Sequence, residues 1–398
     1  MNIPFHKPMI EDDDVAAVVE TLKSGWITTG PGVKAFEKSF SEYTGAKHAI
    51  AVSSCTAAMH LALAALDIGP GDAVITTPYT FVATAEAIQY VGATPVFVDI
   101  RERDLNIDPD QIAKLIREWK TSPYFPFRLR ALMPVHMAGH PCDMSAIMQV
   151  ARDNNLAVVE DAAHCLEGAV KNYHDGSGKI GAIGDATCFS FYATKNITTA
   201  EGGMVTTEND QLADRMRILS LHGMSRDAWK RYSNEGSWYY EILARGFKYN
   251  MPDLLAALGR TQLQKAGRML EIRRRHAQIL HQELSEVEEI ILPVESDDST
   301  HAWHLFIIRL QPERLKITRN QFIEKLTQAG VHTSVHFIPL HLQPFFRDRF
   351  KLRKGDFPVA EKVYDSAVSL PFYPSMADED VRRVAGVVRE VIMENARF

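Results

Sequence analysis

Residues 188–205 read CFSFYATKNITTAEGGMV. A short apolar run, Cys188 to Phe191, gives way to Lys195, which has no acidic residue in the four positions before it. Past the Glu201-Gly202-Gly203 turn, Met204 to Thr207 resumes as a strand. A lysine on a loop between two buried strands loses solvent, so its pKa falls and its neutral amine can attack a carbonyl. Taken alone, the residue reads as an ordinary exposed loop lysine. Its neighbours in the fold have to decide.

Working outward, short β-rich runs alternate with helical patterns. The runs are Ala49 to Ser53, Ala73 to Thr76, Thr94 to Val98, Ala131 to Val135, Ala157 to Glu160, Thr187 to Phe191 and Met204 to Thr207. Between them lie helix patterns over Thr56 to Leu66, Thr80 to Tyr90, Pro109 to Trp119, Met144 to Asn154 and Asp210 to Leu221. Pro109 stands where a first helical residue should, and Gly69 and Gly92 follow helices as stop signals. Such alternation predicts an α/β fold, a seven-stranded, mostly parallel sheet with helices on both faces. Leu254 to Leu284 then reads as one long connecting helix. Beyond it, extended runs at His304 to Leu310 and Val331 to His336, with helices near Arg319 to Gln328 and Asp378 to Met393, suggest a smaller α+β domain. The division expected is 1–250 for the large domain with its N-terminal arm, and 251–398 for the long helix and small domain.

Composition excludes several classes. The chain has 398 residues, 46% hydrophobic and 24% charged, with a net charge of -6. That is globular, and it gives no reason to expect nucleic acid or an anionic membrane as partner. The start, MNIPFHKPMIEDDD, lacks a signal-peptide core, and no run of about eighteen apolar residues occurs, so a cytoplasmic protein is expected. Cys55, Cys142, Cys165 and Cys188 are far apart without a Cys-x-x-Cys pair, and read as buried small residues.

Three places at strand ends bear on chemistry. At Val52-Ser53-Ser54-Cys55-Thr56 a strand runs straight into a helix, whose N-terminus suits a phosphate, although the same residues would serve as a plain cap. Asp161 closes the strand Val158-Val159-Glu160, where ligands of open α/β sheets bind; it could instead cap the next turn. Phe81, just past Thr77-Pro78-Tyr79-Thr80, is either core or a face that stacks on a planar ring. A phosphate cradle, a flat face, a carboxylate and an isolated lysine form the set that pyridoxal phosphate requires.

With these residues the chain resembles the DegT family of fold type I aminotransferases, which act on nucleotide-linked keto sugars, from Ser24-Gly25-Trp26-Ile27-Thr28-Thr29-Gly30 through the C-terminal domain. The resemblance implies that Lys195 is the Schiff-base lysine, Asp161 the partner of the pyridine nitrogen, His164 the neighbour of the ring hydroxyl and Phe81 the stacking ring. Cys55, Thr56 and Ser190 would hold the phosphate. Cys55 stands where many relatives have glycine or alanine, and His164 where glutamine is frequent. Asn250 would reach the phosphate of the other subunit, which makes a homodimer the functional unit. His222 to Trp229 and His301 to Ile308 look most similar to enzymes that aminate C4. Trp26, Thr28, Thr29, Arg226 and His336 are the expected sugar or nucleotide contacts. Ping-pong transfer from glutamate, with pyridoxamine phosphate carrying the amine, is the expected reaction. Rival readings are a 3-keto-sugar aminotransferase, the family's dehydratase branch, which has histidine at the lysine position, and a sensor of sugar or cofactor without turnover.

Other signals are set aside. Gly176 to Gly181 has the letters of G-x-G-x-x-G but neither strand before nor helix after, and reads as a loop. His136, His140, His301, His304, His332, His336 and His341 fit no zinc spacing, so no metal is expected. Asn196-Ile197-Thr198 is a glycosylation sequon without a secretion signal.

Overall fold

The computed structural model describes residues 2–121, 126–173, 176–225 and 239–397. Its strands in chain order are β1 (His48–Val52), β2 (Asp72–Thr76), β3 (Thr94–Phe97), β4 (Arg128–Leu132) and β5 (Ala157–Asp161). Then come β6 (Ala169–Tyr173), β7 (Gly176–Lys179), β8 (Ala186–Ser190), β9 (Gly203–Thr207), β10 (Ile290–Ile291), β11 (Ser299–Thr300), β12 (Phe306–Leu310) and β13 (Ala367–Leu370). The helices that matter for the site are α1 (Asp12–Ser24), α2 (Pro31–Thr44), α3 (Cys55–Ala65), α4 (Val82–Tyr90), α5 (Pro109–Thr121), α6 (Met144–Asn154), α7 (Asp210–Ser220) and α8 (Asp253–Leu284).

Seven strands form the central sheet in the order β1-β9-β8-β5-β4-β2-β3. They are the seven read from the sequence. β3, β2, β4, β5 and β8 run parallel, and β9 is antiparallel to both β8 and β1. β2 and β9 are buried at every position, as strands covered on both faces must be. One face packs against α2 and the first half of α8 through Phe36, Phe40, Phe189, Phe191 and Met251. The other face packs against α3 and α7 through Met59, Leu61, Val205 and Met216. The last turns of α8 enter a separate core with Phe306, Ile308, Val368, Val384 and Val388, so one 32-residue helix serves both.

Sheet direction explains where chemistry can gather. β1, β5 and β8 end, and β9 begins, at one edge: Val52 and Ser190 both pair with Gly203, and Asp161 with Cys188. Gly203 has to be glycine. A Cβ there would lie 2.4 Å from the Ser54 carbonyl carbon and 2.7 Å from Cys55 N, where α3 starts.

Two expectations are corrected. Gly176 to Gly181 is not a loop: Gly176–Lys179 forms the second strand of a hairpin with β6, and β11 adds to its edge. Pairing with β6, which Ser299 and Thr300 of β11 flank on its other side, makes a strand of a glycine-rich run that has little strand propensity. Val331 to His336 is not a strand but two isolated bridges, Val331 to Ile3 and Ser334 to Ser369. The N-terminal segment is thereby tied down: Ile3 N–H donates to the Gly330 carbonyl at 2.8 Å, and His332 N–H to the Ile3 carbonyl at 3.1 Å. All four cysteines are free and buried. No helix among the described residues is long and apolar enough to cross a membrane.

Candidate active site

The converging strand ends open into a cavity of about 350 Å³, a size that suits a small ligand or cofactor. Cys55, Thr56, Phe81, Asp161, His164, Ser190, Lys195 and His336 all line it. Eight candidates from across the sequence thus meet in one place.

Ser54 caps α3 by accepting from Ala57 N–H at 3.0 Å, and the first N–H groups of the helix, at Cys55 and Thr56, have no carbonyl one turn back to bond. With the Thr56 and Ser190 hydroxyls beside them, they make an anion cradle. The capping and phosphate readings of this stretch are therefore compatible.

Asp161 is 5% exposed and is satisfied as a carboxylate. Thr84 Oγ1 donates to Oδ2 at 2.7 Å, and Ala163 N–H to Oδ1 at 3.1 Å. Thr84 in turn lies 2.8 Å from Thr80 Oγ1. Phe81, the residue before α4, is 59% exposed and lines the cavity with its ring 5.9 Å from that of Phe337, so it is not core. Lys195 has its pKa lowered to about 8, chiefly because burial disfavours the ammonium, with Asp161 opposing that effect. A neutral amine is available near physiological pH.

His164 is buried, and its pKa is held well below the usual value by desolvation and by the charge of Lys195. Its Nδ1 is sealed without a hydrogen-bond partner. A buried N–H with no acceptor is costly, so the proton belongs on the other nitrogen, which makes His164 a donor to the cavity. His336, lowered to about 4 by burial, is held through Nδ1 by Ser369 Oγ at 2.8 Å and stacks on Phe5.

Four other candidates lie elsewhere. Trp26, Thr28, Thr29 and Asn250 are not in this cavity. Asn250 Nδ2 donates to Thr29 Oγ1 at 2.6 Å, Thr29 Oγ1 to the Met251 carbonyl at 2.5 Å, and Asp253 N–H to the Thr28 carbonyl at 3.1 Å. Trp26 Nε1 reaches back to the Thr29 carbonyl at 3.4 Å. Arg226 lies outside the described residues. The structure adds residues that were not expected: Phe5, His6, Tyr192, His304 and Phe337 line the cavity, and Thr84 supports it. Among the described residues no group of three His, Cys, Asp or Glu side chains is placed to hold a metal ion.

Residues 8–389 match the model of the DegT/DnrJ/EryC1/StrS aminotransferase family. The chain belongs to this family. It is 50% identical over 393 residues to uncharacterized protein MJ1066 of Methanocaldococcus jannaschii, covering 99% of this chain and 98% of that protein. With the spore coat polysaccharide biosynthesis protein SpsC of Bacillus subtilis it shares 47% over 391 residues, covering 98% and 97%. The putative sugar aminotransferase Spr1654 of Streptococcus pneumoniae, solved in its PMP form, superposes with a TM-score of 0.89 at 32% identity, covering 99% of this chain and 100% of that one. Its PLP form gives 0.89 at 31%. This DegT-family chain is a pyridoxal phosphate-dependent aminotransferase, and its residues fit the cofactor. The anion cradle at α3, the satisfied carboxylate of Asp161, the proton of His164 and the exposed face of Phe81 border the same cavity as Lys195.

Proposed function

We propose that the protein transfers an amino group from glutamate to a nucleotide-linked 4-keto sugar, a 6-deoxy hexose or pentose on UDP or dTDP, for surface polysaccharide or glycan synthesis in the cytoplasm. The observation that carries the chemistry is Lys195, an amine with a pKa near 8 in a cavity it shares with Asp161. For the sugar, support comes from the polysaccharide role in the name of SpsC and the sugar in that of Spr1654.

Bound pyridoxal phosphate supplies an aldehyde that takes up the amine and a protonated ring that draws electrons from the carbon being deprotonated. Lys195 would hold the cofactor through its amine and would be placed to carry a proton as general acid and base. Asp161 would keep a proton on the ring nitrogen. The Cys55 and Thr56 N–H groups with the Thr56 and Ser190 hydroxyls would hold the phosphate, and His164 would donate to the ring oxygen. His336 and the aromatic wall of Phe5 and Phe337 stand on the substrate side.

The working unit in this reading is a homodimer. Asn250 lies outside its own cavity, and an apolar patch is exposed on and after α1, with Val15 at 54%, Leu22 at 52% and Ile27 at 52%. Across a two-fold axis, Asn250 would serve the partner's phosphate, with Trp26, Thr28 and Thr29 at the same seam.

The test is the visible spectrum of the protein with pyridoxal phosphate. Wild type should form a yellow band that bleaches with glutamate as 2-oxoglutarate appears, and Lys195→Ala should form none. The aminated enzyme should then be discharged by 4-keto and not by 3-keto sugar nucleotides. A band that ignores glutamate would sink the donor assignment, and discharge by 3-keto sugars alone would sink the position.

A further inference from the structure

Asn196 follows the lysine directly and is 5% exposed. Each of its polar atoms is occupied within the protein. Nδ2 donates to Glu167 Oε2 at 2.5 Å and to the Ala302 carbonyl at 2.9 Å. A carbonyl oxygen can only accept, so the amide has one orientation, with Oδ1 facing His304 Nδ1 at 3.0 Å. An amide oxygen can only accept as well. His304 therefore carries hydrogen on Nδ1.

The ring is neutral, because burial, His164 and Lys195 all push its pKa well below the usual value. One proton on Nδ1 leaves Nε2 with a bare lone pair. His304 lines the cavity of Lys195, and its ring centroid lies 4.3 Å from that of His164, whose free proton is on the opposite kind of nitrogen. The two neighbouring rings, tilted by 34°, thus offer one donor and one acceptor. An acceptor in a cavity that already holds a lysine amine suits a ligand group that brings its own hydrogens.

We infer that Asn196 is a positioning residue that fixes His304 as the Nδ1–H tautomer, so that Nε2 accepts a hydrogen bond from the ammonium of the amino substrate arriving at Lys195. This rests on the aminotransferase reading of the cavity, and on glutamate only for its kinetic arm. A neutral acceptor orients the ammonium without stabilising its charge as a carboxylate would, which matters because the amine has to lose a proton before it attacks.

Two measurements test it. In cofactor-free protein with ring-¹⁵N histidine, the resonance that vanishes in His304→Asn should show the Nδ1–H pattern, and in Asn196→Leu it should move toward the Nε2–H pattern. In stopped-flow half-reactions of the loaded enzyme, His304→Asn, which keeps an N–H for Asn196 but no atom at Nε2, should raise KM for L-glutamate about tenfold. KM for 2-oxoglutarate, which has no N–H to give, should stay. His304→Gln, with a polar atom at the lost position, should recover part of the effect, and all three should keep the absorbance of the bound cofactor. His304 found as Nε2–H or as a cation in wild type, or a glutamate KM unmoved in His304→Asn, would overturn the inference. Should wild type ignore glutamate altogether, the donor assignment falls, and the tautomer spectrum still decides this point.

Discussion

At the scale of single residues, Lys195 makes the protein's stability depend on pH in a direction that can be worked out. Its pKa is about 8 in the folded chain against an ordinary 10.5. Below 8 both folded and unfolded chains hold the proton, and the folded state bears the full penalty of a buried ammonium. Between 8 and 10.5 the folded chain has released a proton that the unfolded chain retains, so stability rises with pH. The 2.5-unit window corresponds to about 3 kcal/mol. Urea titrations of cofactor-free protein should show wild type gaining on Lys195→Met by about that amount over this window. Parallel curves would mean that the amine is not desolvated. That Lys195 and Asp161 would come to one cavity was legible in the sequence, because Asp161 closes a buried strand and Lys195 lies on the loop between two of them. Thr84 was not, since nothing about a threonine in a helix announces a hydrogen bond to an aspartate 77 positions on. His304 escaped for a related reason: its partner Asn196 is 108 positions away.

Among the elements, the close approach of β9 to the start of α3 shapes the anion cradle proposed for the phosphate. Gly203→Ala would place a methyl 2.4 Å from backbone that cannot yield cheaply. Overpacking of this kind costs about 1–3 kcal/mol and here falls on the cradle, so affinity for pyridoxal phosphate should drop roughly tenfold or more in a fluorescence titration. An unchanged affinity would show that the first turn of α3 does not hold the cofactor. The seven strands of the sheet were readable because both faces are buried, which leaves apolar runs with turn signals between them. The β6–β7 hairpin was not, because the glycine-rich β7 takes its strand character from pairing with β6, which β11 in turn borders, rather than from its own residues. The same holds in reverse for Val331 to His336, a β-rich run whose neighbours are single bridges.

For the molecule as a whole, a site shared between subunits has an arithmetical signature. Lys195→Ala and Asn250→Ala homodimers should each be nearly inactive. After subunit exchange, half of the dimers are mixed and have one complete site in two, so about a quarter of wild-type activity should return. No recovery, with exchange verified by size and label, would place Asn250 in no partner's site. One further feature bears on how the protein is handled at the bench. The segment before α1 bridges to Val331 through Ile3, lays Phe5 on His336 and lines the cavity with Phe5 and His6. Trimming the first eight residues to tidy an expression clone would therefore strip a wall from the reaction chamber. A dead truncate would say nothing about the lysine.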